Sequence, residues 1–87
     1  MEKEIYNLIL NLRNLQKQNF QILKQEVDYI IINKIVDKNK IEKLLDNLLS
    51  VCYSDEVINY YNKLCNYYSN IDKKASNFYK KELKKIL

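Results

Sequence analysis

The chain has 87 residues and a net charge of +4, and it contains no Gly, Pro, His or Trp. An apolar share of 47% against 30% charged residues marks a globular domain rather than a disordered one. The missing residue types exclude more than the residues present establish: without Gly and Pro, tight hairpins at positive φ lose their usual residues, and without His, acid–base catalysis loses its commonest agent. Helices joined by short polar connectors are what remains.

The first predicted element is a single long helix over residues 3–35. At about 100° per residue, Ile5, Leu8, Ile9, Leu12, Leu15, Leu23, Val27 and Ile30 gather on one arc. Gln16 and Asn19 fall on the same arc, so a break near Gln18 is the alternative to a continuous helix. The back half has a second apolar side. Ile22, Tyr29 and Val36 recur every seven residues away from the main stripe, with Ile32 close by. A helix apolar on two sides is either central to its own bundle or shared with a partner.

Asn39 followed by Glu42 resembles a capping box, which predicts that the second helix starts near Lys40. Its apolar face is Ile41, Leu44, Leu45, Leu48, Leu49 and Cys52. Ser54, with Asp55 and Glu56 behind it, predicts the start of a third helix running to about Ser69. Val57, Tyr61, Leu64 and Tyr68 occupy the centre of its apolar arc, and Tyr60 and Tyr67 sit on one flank. Asp72 or Asn70 caps a fourth helix whose repeating apolar residues are Ala75, Phe78, Tyr79, Leu83 and Ile86. Connectors this short make successive helices neighbours. The expected fold is therefore all-α: a small helical bundle, one domain over residues 1–87, with one long N-terminal helix packed against three shorter helices.

The charge excess is local. Residues 1–71 carry nine basic and nine acidic side chains, whereas residues 72–87 carry six lysines against Asp72 and Glu82, so the whole +4 sits in the last helix. Lys73, Lys80, Lys81, Lys84 and Lys85 are accordingly the residues a nucleic-acid-binding regulator would use. Arg13 is the one arginine, although Arg is the preferred bidentate reader of phosphate and guanine, so a solvated lysine face is the better reading. A helix-turn-helix over the second and third helices is disfavoured because Asp55 and Glu56 would face phosphates.

No catalytic constellation stands out: the sequence has no Gly-rich loop or nucleophile motif, and two cysteines without His cannot complete a four-ligand zinc site. The expectation is a protein that is not an enzyme and carries no metal or cofactor. Cys52 and Cys65, on the apolar arcs of adjacent helices, read as reduced core residues. No apolar run approaches the roughly 18 residues of a membrane span. Met1-Glu2-Lys3-Glu4 lacks the basic-then-apolar form of a secretory leader, so cytoplasmic residence is expected.

The stretches Ile41–Leu49, Cys52–Val57, Tyr61–Asp72 and Ala75 with Phe78-Tyr79 resemble a group of small helical proteins encoded on integrative elements and prophages of low-GC Gram-positive bacteria. The likeness covers about the last half of the chain and rests on a leucine-rich helix, a Cys-Tyr joint, Leu64-Cys65-x-Tyr67-Tyr68 and an Ile-Asp cap. That group has no function to transfer. It implies a setting in which small proteins act by binding a host or defence protein. A bacteriocin-immunity protein is similar in architecture only. The expected function is therefore a protein-binding module, in its most concrete form an anti-CRISPR-type inhibitor of a host defence nuclease. The expected contacts are Ile22, Tyr29, Ile32 and Val36 on the long helix and Tyr60 and Tyr67 on the third, with the long helix also offering a face for a homodimer.

Overall fold

The computed structural model describes residues 20–51 and 54–87. Among these residues the structure is all-α, with four helices and no strand: α1 over residues 20–32, α2 over Lys38–Ser50, α3 over Asp55–Tyr68 and α4 over Lys73–Ile86. Residues 1–19 lie outside the described part, and so does the expectation that one long helix begins near Lys3 and passes Gln16–Asn19.

α1 ends three residues earlier than its apolar pattern suggested. The Ile35 N–H donates to the Ile30 carbonyl (3.0 Å) and the Lys34 N–H to that of Ile31 (3.3 Å), the paired closure of a Schellman motif. That closure needs a left-handed residue, and in a chain without glycine Lys34 takes it at φ 53°. Ile35 then folds back onto the core beside Ile31.

α2 starts at Lys38 rather than near Lys40. The capping carboxylate is that of Asp37, which accepts the Lys40 N–H at 3.3 Å. Asn39 therefore lies inside the first turn, and Glu42 does not close a capping box: its Oε2 accepts the Tyr68 hydroxyl instead. The other two caps are where the sequence put them. Ser54 accepts the Val57 N–H, and Asp72 accepts the Ala75 N–H at 3.0 Å. Lys38 also reaches Asp72 at 2.8 Å, tying the start of α2 to the start of α4.

One core joins all four helices. α1 contributes Phe20, Leu23, Val27 and Ile30; α2 contributes Ile41, Leu44, Leu45 and Leu48; α3 contributes Val57, Tyr61, Leu64, Cys65 and Tyr68; α4 contributes Tyr79 and Leu83. α3 is the central element, packed by α2 on one side and α4 on the other. α1 lies across α2 and α3, held at its α3 edge by the pairs Lys24–Glu56 and Asp28–Lys63, both at 3.3 Å. Exposed pairs of this kind add little stability, so the buried stripe Leu23, Val27 and Ile30 holds α1 in place, at about 1.5–3 kcal/mol per fully buried side chain.

The fourth helix departs from its predicted face. Ser76, Tyr79 and Leu83 form the buried arc, while Phe78 and Ile86 point outward. Ser76 is fully buried because its small side chain lets α4 approach α3 closely, and its hydroxyl donates to the Cys65 carbonyl at 2.6 Å. Phe78 is one residue off that arc, about 100° round the helix, and is left 56% exposed.

Candidate functional site

α1 turns three sides to three environments. Leu23, Val27 and Ile30 face the core, and Lys24 and Asp28 face α3. Ile22, Glu26 and Tyr29 line the edge toward α2, where a cleft of roughly 750 Å³ opens between the two helices. Ile30 and Leu44 form its apolar floor, and Lys40, Lys43 and Asn47 stand on the α2 rim. The cleft is half-open to solvent.

The large apolar side chains singled out from the sequence remain wet. Ile22 is 57% exposed, Tyr29 58%, Ile32 76% and Val36 66%. They do not form one helical stripe. Ile22 and Tyr29 sit on the cleft edge, Ile32 is about 60° further round toward open solvent, and Val36 lies in the connector beyond the helix end. The seven-residue repeat would have put Val36 under Tyr29, but the turn at Lys34 takes it off the helix.

Tyr60 and Tyr67 are placed elsewhere. Both are half-buried against α1 and its C-terminal turn, on the α3 side. The Tyr60 ring meets Phe20 edge-on at 6.0 Å and carries the ammonium groups of Lys24 and Lys63 at 5.4 and 5.3 Å. The Tyr67 hydroxyl donates to the Ile35 carbonyl at 2.7 Å, pinning the α1 closure. The Tyr60 ring and the Tyr67 hydroxyl are thus engaged within the fold, and the structure does not bring these two tyrosines together with Ile22 and Tyr29.

The other polar groups of the interior are also committed. The Tyr61 hydroxyl donates to the Tyr79 carbonyl at 2.7 Å. Burial raises the Tyr61 pKa well above the ordinary tyrosine value, and burial together with the hydrogen-bonded Glu42 carboxylate does the same for Tyr68. Tyr79 is pushed up to about 12 by burial and by the nearby Asp46 and Glu42 carboxylates. Cys65 is buried and free, and burial pushes its thiol up to about 11, away from the thiolate needed for reactivity. Cys52 lies outside the described residues. Among the described residues no group of three or more Cys, Asp or Glu side chains could hold a metal ion, and no helix is long and apolar enough to cross a membrane.

On α4, Lys73, Lys81, Lys84 and Lys85 are exposed and Lys80 is half-buried. Lys85 pairs with Glu82 at 2.9 Å. Exposed Phe78 stands beside Lys74 and Lys81, its neighbours three and four residues away on the helix surface. The sequence pattern gave no sign of this, because Phe78 counted as a core residue. It also hid Phe20, which closes the core at the start of the described α1.

No family model matches the chain, and neither a curated protein nor a solved structure is significantly similar to it.

Proposed function

We propose that this chain is a non-enzymatic protein-binding module acting in the cytoplasm, and that it works by occupying a face of another protein. In its concrete form it is a mobile-element inhibitor that covers a host defence nuclease in the anti-CRISPR manner. The observation that supports the reading is the placement of Ile22 and Tyr29: two large apolar side chains, both more than half exposed, on the lip of an open apolar-floored cleft. The aromatic side chains of α3 are packed inward or hydrogen-bonded within the fold, and of the large apolar side chains left exposed, on α1, the connector after it and α4, Ile22 and Tyr29 are the two that line the cleft. Contacts of this type, aromatic and aliphatic anchors beside a cleft, carry most of the energy of protein interfaces.

The test is affinity capture of a host nuclease complex, followed by nuclease assays with the wild-type chain and with the double variant I22K/Y29K. The reading expects the variant to stay folded and to lose both capture and inhibition. Undiminished capture and inhibition would overturn it.

A second reading has one specific observation in its favour. A nucleic-acid-binding regulator would use Lys73, Lys80, Lys81, Lys84 and Lys85, and exposed Phe78 among those lysines offers a ring for base stacking. A salt titration separates the two readings. Binding through several phosphates makes log affinity fall steeply with log salt, whereas docking on Ile22 and Tyr29 responds weakly.

A further inference from the structure

The cleft has rims of opposite charge, and we infer that it takes an amphipathic helix of the partner protein with carboxylates along the flank that meets α2. This deepens the protein-binding reading and rests on it. Ile22 and Tyr29 stand about two turns apart on the α1 rim, roughly 10 Å along the axis, matching anchors two turns apart on an incoming helix. Lys40 and Lys43, one turn apart, line the opposite rim. Lys24, Lys38, Lys63 and Lys85 are all engaged in ion pairs, but among the described residues Lys40 and Lys43 are not, nor is Glu26 on the α1 rim. Two cations on one rim and one anion on the other set the polarity of what lies between them: acidic toward α2, amide or basic toward α1.

The secondary structure of the occupant follows from the backbone. Among the described residues there is no strand, so an extended peptide would find no sheet edge to satisfy its amides, whereas a helix brings its own hydrogen bonds. A second copy of this chain fits less well. With the α1 rim of one copy on the α1 rim of the other about a twofold axis through its midpoint, Glu26, midway between Ile22 and Tyr29, would face its own symmetry mate. A nucleic acid would likewise bring its phosphates against Glu26.

The experiment uses the full chain and two labelled amphipathic peptides of about five turns, long enough to hold helical structure on the cleft. They share one leucine stripe and differ only in carrying Glu or Lys along one flank. Fluorescence anisotropy is expected to show the Glu peptide binding at least about tenfold more tightly than its Lys twin. The preference should invert in K40E/K43E, and Y29S should weaken both peptides. The variant K81E/K84E changes the net charge equally but outside the cleft, and should leave the preference in place. Failure of both peptides to bind, equal binding of the two, or a preference that K81E/K84E inverts as readily as K40E/K43E would overturn the inference. So would self-association in sedimentation that Y29S abolishes, which assigns the cleft to a second copy. The broader reading fails on a different result, since it requires only that I22K/Y29K lose the nuclease.

Discussion

Raising the pH above 9 should unfold this protein through its own buried hydroxyls and thiol. In the unfolded chain Cys65 ionises near 9.0 and the tyrosines near 10.0. In the folded chain burial raises Cys65 to about 11 and Tyr79 to about 12, and it raises Tyr61 and Tyr68 as well. A folded-state pKa above the unfolded one means that the native state keeps protons the unfolded state has released. The stabilisation is complete below the unfolded pKa and is lost as pH rises toward the folded one. Each such group removes about 1.4 kcal/mol per pH unit across its window, so by pH 11 the four together withdraw on the order of 5 kcal/mol. A domain of 87 residues has only about 4–13 kcal/mol in total, so the fold should be lost between about pH 10 and 12. The assay follows far-UV circular dichroism and tyrosinate absorbance on one pH titration. Helix loss should coincide with a cooperative part of the tyrosinate signal. If all eight tyrosines ionise smoothly around pH 10 while helicity stays intact, the buried network of Tyr61, Tyr68 and Tyr79 is refuted.

Lys34→Gly should stabilise the protein by about 0.5–1 kcal/mol, because glycine takes the left-handed turn without the Cβ clash, and thermal melting should show it as a rise of several degrees. Ser76→Leu should cost more than about 2 kcal/mol in urea unfolding, since it forces a branched side chain into a fully buried position between α3 and α4 and removes the bond to the Cys65 carbonyl. Cys65 should react with a thiol reagent at least about 100-fold more slowly in the native chain than in denaturant. I22K/Y29K should unfold within about 0.5 kcal/mol of wild type, because both side chains are already wet.

The parts of the fold that repeat at helical spacing were legible in the sequence. The α3 face of Val57, Tyr61, Leu64 and Tyr68 and the caps Ser54 and Asp72 are where the pattern puts them, because amphipathic period and cap chemistry are local properties. The differences arise where tertiary contacts outrank local signals. Glu42 serves Tyr68 rather than a capping box, and Ser76 displaces Phe78 from the core because helix approach there needs a small residue. The end of α1 was hidden for a different reason. A Schellman closure is usually announced by glycine, and here Lys34 fills that position. At the candidate site, the second apolar side of α1 was visible as Ile22 and Tyr29. The charged rim supplied by Lys40 and Lys43 was not, since nothing along the chain says that α2 lies across a cleft from α1.

The proposed partner interface lies on the α1–α2 side of the molecule, and amide hydrogen exchange of the chain, alone and with the captured nuclease complex, reads that placement residue by residue. Exchange should slow over residues 22–32 and 40–47, with α4 unchanged. Slowing confined to Lys73–Ile86, with the α1–α2 cleft unchanged, would contradict it and move the interface to the lysine-rich helix.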